Sequence, residues 1–270
     1  MKTVKTCVIT GYGINSDYEL AECFRLAGSA AERIHINDLI NGMRDIEEFH
    51  ILAFPGGFSF GDHISSGKVF ANKFKFHLGK ALQTFIRSGN PVIGICNGFQ
   101  VLTKMGVLPF LTLEQSVTLS RNANNLFEDR WVRLKIKKTN KNIWLSGIEH
   151  IDLPVRHGEG RFVCPENILT EIKSTNLDVL HYTDTAGNVT MEYPANPNGS
   201  PGAVAGLSDT TGNVLGLMPH PEAFMIRHNH PLWNRNERGI AGDAGSLLKP
   251  DDGAGMAIFY NAVNYVKTCL

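Results

Sequence analysis

The 270-residue sequence has no excess of either charge, because 26 Lys and Arg residues are matched by 26 Asp and Glu residues. A chain without net charge has no overall field to attract nucleic acid or an anionic membrane surface. No apolar run approaches the roughly 18 residues of a membrane-spanning helix, and the run at residues 7–9 is too short for a signal peptide. We therefore expect a cytoplasmic protein that binds neither nucleic acid nor membranes.

Cysteine motifs and phosphate-binding loops are also missing. The five cysteines are odd in number and widely spaced, and no C-x-x-C occurs. This pattern excludes a disulfide framework and a zinc site, so we predict no metal in this chain. No G-x-x-x-x-G-K-[ST] loop is present, so the chain offers no recognisable site for ATP.

What is present is an ordinary globular composition, 43% hydrophobic and 19% charged, with strands and helices alternating in the first half. Strands are predicted at residues 4–10, 50–54 and 91–95. The first helix is predicted to begin at Ser16, whose spacing to Glu19 is that of a capping box, and to end at Gly28. Two further helices are predicted at residues 69–87 and 99–105. This alternation predicts an α/β fold whose mostly parallel sheet is flanked by helices.

Short strands dominate the second half and predict an added, partly antiparallel sheet. They are expected at residues 131–136, 151–156, 178–182, 203–207 and 214–218. A polar insertion at about residues 227–252 precedes a C-terminal helix at about 256–266. No repeat or linker divides the chain, so we predict a single domain over residues 1–270.

One cysteine, Cys96, lies at the centre of the sequence GICNG (residues 94–98). Glycines two positions before and after a nucleophile permit a tight strand-to-helix turn that exposes its side chain. The turn directs the sulfur to a helix N-terminus, whose dipole favours negative charge. It also offers the backbone N–H of Asn97 to an oxyanion. The alternative is a structural cysteine, but the strand before it and the helix after it favour the nucleophile.

A cysteine nucleophile needs a base, and the sequence MPHPE (residues 218–222) supplies His220 with Glu222 two positions later. In an extended chain these side chains point to the same side, so Glu222 can orient the imidazole. A surface His–Glu pair is the alternative. The turn PGG (residues 55–57) follows another strand, and Gly57 is the candidate for a second oxyanion donor.

These three motifs, in this order, resemble the class I (triad) glutamine amidotransferases. FPGGFSFGD (54–62), GICNGFQ (94–100), RHGEGR (156–161), NPNGS (196–200) and GLMPHPE (216–222) are similar to one branch of that family, the glutaminase subunits of phosphoribosylformylglycinamidine synthase. The resemblance runs from the N-terminal strand to about Phe224, and it implies a flavodoxin-like sheet.

The resemblance implies that Cys96 attacks the side-chain amide of glutamine while His220, held by Glu222, transfers protons. Ammonia leaves, and a γ-glutamyl thioester is hydrolysed to glutamate. The N–H groups of Gly57 and Asn97 would stabilise the oxyanions. The substrate contacts that it implies are Phe58, Gln100, His157 and Gly158.

The resemblance also implies partners. A large synthetase subunit would bind ATP with Mg²⁺ and use the ammonia to convert formylglycinamide ribonucleotide to the amidine in de novo purine synthesis. A small third subunit would complete the complex, and this chain would need no cofactor. Partner contact is expected to raise the glutaminase rate by aligning backbone at residues 55–57 or 157–158.

Two features depart from the family pattern. Ala223 follows Glu222, where many relatives have arginine. The stretch 227–252 is long, and it is either a solvated loop or a partner-docking or lid element. Two other functions remain open at this point: a stand-alone cysteine hydrolase of γ-glutamyl or other amides, and a catalytically silent docking subunit.

Overall fold

The computed structural model describes residues 3–138, 141–234 and 247–270. The strands are β1 (Lys5–Thr10), β2 (Ala30–His35), β3 (Ile51–Phe54), β4 (Val92–Ile95), β5 (Thr118–Ser120), β6 (Glu128–Ile136), β7 (His150–His157), β8 (Arg161–Val163), β9 (Leu180–Thr183), β10 (Val204–Ser208) and β11 (Val214–Leu217). The α-helices are α1 (Asp17–Leu26), α2 (Ile36–Ile40), α3 (Lys68–Arg87), α4 (Asn97–Met105), α5 (Glu166–Ser174) and α6 (Met256–Cys269).

One sheet contains nine of these strands, in the order β2-β1-β3-β4-β11-β10-β9-β6-β7. The first five run parallel, and the last four continue the sheet in antiparallel pairs. The order 2-1-3-4 followed by another parallel strand is the flavodoxin-like order. The predicted α/β fold with added antiparallel strands is confirmed. The strands predicted for the second half extend this same sheet, while β5 and β8, which were not predicted, pair antiparallel in a separate two-stranded sheet.

Helices cover both faces of the parallel half. The chain moves towards one edge from β1 to β2 and towards the other from β3 to β4. Because such crossovers are right-handed, α1 and α3 lie on opposite faces. Accordingly α1 packs against α6, and α3 packs against α4.

The core beneath α3 is aromatic. Phe70, Phe74, Leu82 and Ile86 recur at helical spacing and are buried. The ring of Phe74 lies 5.1 Å from that of Phe54 on β3, in an edge-to-face arrangement. Truncating a buried phenylalanine of this kind costs about 3–5 kcal/mol, so this packing fixes the position of α3 against the strand that leads into residues 55–57.

The helix after β1 corrects one local prediction. Helix α1 does begin after Ser16, and Gly28 follows its end with φ of +90°. Yet the Ser16 hydroxyl makes no capping hydrogen bond, and it lies 3.4 Å from Asn15 Oδ1. The Ser16 N–H instead donates to the carbonyl of Gly56. This backbone hydrogen bond joins the loop before the helix to residues 55–57, and the Ser16 hydroxyl does not cap the helix.

Two further parts of the chain bear on the predictions. In the polar stretch after Phe224, His230 is buried and its ring lies 4.5 Å from that of Trp131, so this part is not simply solvated. Residues 235–246 of that stretch lie outside the described residues. Helix α6 extends to Cys269, beyond the predicted end at residue 266. Across the described ranges, no helix combines the length and apolarity needed to cross a membrane.

Candidate active site

Cys96 occupies the turn between β4 and α4. Its φ of +52° and ψ of −106° are unusual for a residue with a side chain, and such strain costs about 1–3 kcal/mol and clusters at functional sites. Its N–H donates to the carbonyl of Leu217 at 2.8 Å. A side chain at Gly98 would collide with the carbonyl of Phe54, and one at Gly94 would lie 2.7 Å from the Gly98 carbonyl. The two glycines are therefore required by the tight turn that presents Cys96.

His220 follows β11, the strand that pairs with β4, so it is brought next to Cys96 by the sheet. Its Nδ1 lies 2.5 Å from Oε1 of Glu222. The backbone between them forms a short 3₁₀ turn at Pro221–Ala223, so the expected extended chain is wrong although the pair is present. Proline fits the start of such a turn because it needs no N–H partner there.

The electrostatics of His220 follow from its burial and its neighbours. Burial disfavours an imidazolium, but the negative charges of Glu222 and of Cys96 as thiolate outweigh this and raise the pKa of His220 to about 10. His220 Nε2 is buried and has no hydrogen-bond partner among the described residues. The pair can therefore hold a proton close to the sulfur.

A cavity of about 520 Å³ opens at this point, which is the size range of small-molecule sites. It lies at the carboxyl ends of the parallel strands, where open α/β sheets bind ligands. Its walls are formed by Asn15, Ser16, Glu19, Gly57, Phe58, Asp62, Ser66, Cys96, Gln100, Phe127, Arg156, His157, Gly158, Glu159 and His220.

Of the nine residues singled out from the sequence, seven line this cavity: Gly57, Phe58, Cys96, Gln100, His157, Gly158 and His220. Glu222 lies behind His220 and is fully buried. Asn97 is the first residue of α4, so its N–H has no carbonyl partner within the helix.

The turn at residues 55–57 lies against the reacting groups. A side chain at Gly56 would come within 2.9 Å of His220 Cε1 and 3.6 Å of Cys96 Cβ. Gly57 has φ of +149°, and a side chain there would lie 2.6 Å from the carbonyl of Gly13. Only glycine fits at both positions, which allows this backbone to form one wall of the cavity.

A buried polar network connects α4 to the opposite wall. The Asn97 carboxamide donates to Oε1 of Gln100 at 2.9 Å, and Gln100 Nε2 donates to the carbonyl of Glu159 at 2.6 Å. Asn97 also donates to Asp62 at 3.4 Å. Burial raises the pKa of Asp62, and its hydrogen bonds with Ser66 and Gly67 oppose that effect. Gln100 is thus bonded at both ends of its carboxamide.

The wall formed by residues 156–160 is held by Asn122. The Nδ2 group of Asn122 donates to the carbonyls of Leu126 and His157, both at 2.8 Å. Its Oδ1 accepts from the N–H of Gly160 and lies 3.1 Å from Nδ1 of His157. Burial and the nearby charge of His220 lower the pKa of His157 to about 3, so its ring is neutral. Nδ1 then carries the hydrogen that Asn122 accepts.

The NPNGS sequence supports the same wall from another direction. Asn198 Nδ2 donates to the carbonyl of Gly160 at 2.9 Å and to the hydroxyl of Tyr182 at 3.0 Å. The Ser200 hydroxyl donates to Asn198 and accepts from the N–H of Phe162. The motif that carried part of the resemblance is therefore a brace for the cavity wall.

Several wall residues were not singled out as site residues from the sequence: Asn15, Ser16, Glu19, Asp62, Ser66, Phe127, Arg156 and Glu159. Asn15 and Ser16 follow β1, and the rule that parallel strands carry sites at their carboxyl ends could have identified them. Phe127 comes from a loop far along the chain, and no local pattern indicates its position.

Comparison with known proteins agrees with this geometry. Residues 3–266 match the CobB/CobQ-like glutamine amidotransferase domain. Phosphoribosylformylglycinamidine synthase subunit PurQ of Methanococcus maripaludis is 41% identical over 265 residues, 97% of each chain. The subunit of the same name from Dehalococcoides mccartyi is 39% identical over 268 residues, 99% of each chain.

A solved structure, that of PurLQS from Thermotoga maritima, contains a chain that is 26% identical to this one with a TM-score of 0.69. The match covers 98% of this chain and 100% of that one. Similarity extends over almost the full length of each relative and includes the strands that carry Cys96 and His220. This chain therefore belongs to the glutamine amidotransferases, in the family of the PurQ subunits of phosphoribosylformylglycinamidine synthase.

Proposed function

We propose that this chain is the glutaminase subunit of phosphoribosylformylglycinamidine synthase, in purine biosynthesis. The observation that carries the proposal is the position of Cys96 beside the His220–Glu222 pair, at one cavity in a chain of the PurQ family. The intact pair argues against a catalytically silent subunit. Together with Cys96, it supplies the nucleophile, base and orienting carboxylate that amide hydrolysis through a thioester requires.

In the first half of the reaction, the Cys96 thiolate attacks the side-chain carbonyl carbon of glutamine. The carbonyl oxygen becomes an oxyanion, which accepts hydrogen bonds from the N–H groups of Gly57 and Asn97. The His220 imidazolium gives its proton to the amide nitrogen, the C–N bond breaks, and ammonia leaves. A γ-glutamyl thioester remains on Cys96.

In the second half, neutral His220 accepts a proton from water as the water attacks the thioester. The same two N–H groups stabilise the second oxyanion. The C–S bond breaks, which releases glutamate and restores the Cys96 thiolate with the His220 imidazolium. Glu222 holds the imidazole in one orientation throughout and stabilises its charged form.

The cavity walls bind the rest of the substrate. Gln100 already uses its amide in the network, and its Oε1 keeps a lone pair for glutamine. Phe58 lies at the mouth and is half exposed, which allows it to cover the aliphatic part of the substrate. His157 and Gly158 would lie against the amino-acid end.

The partners follow from the family. The relatives are named as subunits, and the Thermotoga structure is of PurLQS. The partner synthetase subunit would bind ATP with Mg²⁺ and the ribonucleotide, and a small third subunit would complete the assembly in the cytoplasm. We further propose that the chain acts as one domain, which its continuous nine-stranded sheet supports. We also propose that it needs no cofactor of its own.

The test is steady-state glutamate release from glutamine by this chain alone, and then with its synthetase subunit, formylglycinamide ribonucleotide and ATP. We expect a low rate alone and a rate raised about 10²–10³-fold in the complex, the cost of one missing oxyanion donor. Equal rates would instead indicate a stand-alone hydrolase. No glutamate in either condition would reject the glutaminase function.

A further inference from the structure

The turn Ser59–Asp62 has an unusual backbone beside Gly57, one of the two proposed oxyanion donors. Its last three residues, Phe60, Gly61 and Asp62, have φ of 54°, 67° and 53°. Left-handed backbone is disfavoured for residues that carry a side chain, so two of these three positions need support from their surroundings. Because the turn begins two residues after Gly57, whatever holds the turn also bears on the position of that donor.

The carboxylate of Asp62 holds this turn in place. Its Oδ2 accepts a hydrogen bond from the Ser66 hydroxyl at 3.0 Å, and its Oδ1 accepts one from the N–H of Gly67 at 3.3 Å. Both partners lie immediately before α3. Its Oδ1 also accepts from Nδ2 of Asn97 at 3.4 Å. Asp62 therefore joins the turn to the start of α3 and to the first residue of α4.

Asn97 connects the turn with the nucleophile, because it follows Cys96 directly and its side chain is buried. Its Oδ1 accepts from the N–H of Ser59 at 3.4 Å, while its Nδ2 donates to Asp62. Ser59 is two residues from Gly57, and Asn97 itself provides the other proposed oxyanion donor. One carboxamide thus bridges the two backbone segments whose N–H groups would stabilise the oxyanion.

The neighbours of this carboxamide fix its orientation. A backbone N–H can only donate, and an ionised carboxylate can only accept. Ser59 and Asp62 therefore select the same orientation, with the Asn97 oxygen towards the first and its nitrogen towards the second. In this orientation Asn97 also donates to Oε1 of Gln100 at 2.9 Å. Removal of the carboxylate takes away an acceptor from Asn97 and releases the turn from α3.

We propose that Asp62 is a positioning residue that holds the two oxyanion donors, Gly57 and Asn97, in register. This inference rests on the proposed function and deepens it. Asp62 acts on the backbone around the reacting carbonyl and not on the thiol, so its removal slows the steps that form an oxyanion and leaves the reactivity of Cys96 unchanged. Because the oxyanion is absent from the bound substrate, the loss falls on kcat and not on KM.

The experiment uses the chain assembled with its synthetase subunit, formylglycinamide ribonucleotide and ATP, and compares wild type with Asp62→Gly and Asp62→Asn. Glycine accepts the left-handed backbone but lacks the carboxylate, whereas asparagine keeps an oxygen that can accept from Asn97. We expect Asp62→Gly to lower kcat for glutamine hydrolysis by roughly 10- to 100-fold, less than or equal to the loss of one whole donor, with KM changed by less than about threefold. Asp62→Asn should restore kcat to within about fivefold of wild type.

Alkylation of Cys96 by iodoacetamide separates positioning of the donors from reactivity of the thiol. In that reaction the sulfur displaces iodide from a saturated carbon, so an S–C bond forms, a C–I bond breaks and no oxyanion develops. The rate depends on the thiolate but not on the oxyanion donors. It should therefore stay within about twofold of wild type in Asp62→Gly, although kcat falls.

Asn176→Gly is the matched control, because Asn176 also has a left-handed backbone, with φ of 59°, and does not line the cavity. It should leave kcat at the wild-type value. Thermal unfolding shows which variants are folded. Ser66→Ala is a second, milder variant, since it removes one donor to Asp62 but keeps the carboxylate. It should lower kcat by less than Asp62→Gly does, again without slowing alkylation.

An unchanged kcat in Asp62→Gly, equal losses of kcat and of alkylation rate, or a failure of Asp62→Asn to restore kcat would overturn the role of Asp62. These outcomes presuppose an active wild-type complex. A wild-type complex that released no glutamate would instead reject the proposed function itself, so the two failures are distinguishable.

Discussion

The side chains of Asn122 and Asn198 form hydrogen bonds with both polar backbone groups of one residue, Gly160. Asn122 accepts from its N–H at 3.0 Å, and Asn198 donates to its carbonyl at 2.9 Å. Both asparagines are almost fully buried. Buried hydrogen bonds of this kind are costly to break, because the group that is left cannot form a hydrogen bond with water instead. The cavity wall at residues 156–160 is therefore fixed before substrate arrives.

Asn198→Ala should loosen this wall. The change leaves the Gly160 carbonyl without its donor, so we expect the free energy of unfolding to fall by about 1–3 kcal/mol. The KM for glutamine should rise, because the wall is no longer preorganised. Urea unfolding and glutaminase kinetics measure the two effects. Asn264→Ala, at an exposed position on α6, is the control; comparable losses in both variants would contradict the bracing role.

Cys96→Ser should abolish glutaminase activity and preserve the fold, since the hydroxyl is similar in size but a far weaker nucleophile. The complex carrying this variant should still form the amidine from added ammonium salt, because that chemistry is proposed for the synthetase subunit. Glutamate release and ammonia-dependent synthesis are measured side by side. Normal glutamate release would refute the nucleophile, and loss of both activities would assign Cys96 a structural role.

Glu222→Gln should lower kcat by roughly 10²–10⁴-fold without abolishing glutamine binding, by comparison with other triads. The neutral amide removes the larger of the two negative charges that raise the pKa of His220, so burial lowers that pKa relative to the wild type. Proton NMR of the His220 ring should show an imidazolium that persists above pH 8 in the wild type and loses its proton at a lower pH in the variant. An unchanged kcat would mean that another carboxylate, such as Glu159, orients the base.

His157 should make the protein less stable in mild acid. Its pKa is lowered to about 3 in the folded state, against an ordinary value near 6.5. As the pH falls below about 6.5, His157 binds a proton in the unfolded chain. In the folded chain it stays neutral until the pH reaches about 3. Unfolding is therefore favoured progressively in that window, by about 1.4 kcal/mol per pH unit. Above pH 6.5 this penalty is absent.

The measurement is urea unfolding of wild type and His157→Gln between pH 4 and 7. The variant should show the shallower decline towards acid. His77→Gln, at an exposed position on α3, is the matched control and should decline as the wild type does. Parallel curves for wild type and His157→Gln would show that a charged His157 is tolerated in the fold.

The strands around Cys96 could be predicted from sequence because each is a short apolar run with a proline within two residues of one end. Strands β3, β4 and β11 were placed within about a residue of their bounds for this reason. Strand β2 was missed, since only Ala31 and Ile34 of its six residues are buried and two charged residues lie between them, which breaks the alternation typical of a strand. Helix α5 was missed as well, because Ile172 is its one fully buried residue and its apolar face is narrow.

In the candidate site, the proximity of Cys96 to the His220–Glu222 pair was predictable, because one short motif carries each. Its walls were less so. Arg156 was visible only as part of a motif, and the 3.5 Å approach of its Nη2 to His220 Nδ1 is a property of the folded arrangement. Asn122 has no distinctive sequence context either, since three of its four side-chain hydrogen bonds reach His157 and Gly160, which come close to it only when β6 pairs with β7.

The pairing of β4 with β11 joins parts of the chain that are synthesised at different times. Cys96 leaves the ribosome well before His220 and Glu222, and the strand that positions this base is inserted beside β4 only afterwards. A nascent or truncated chain that ends before β11 carries the thiol but has no base beside it. Under the proposed mechanism, a chain whose nine-stranded sheet still lacks β11 cannot hydrolyse glutamine, so the order of synthesis would couple ammonia release to completion of the fold.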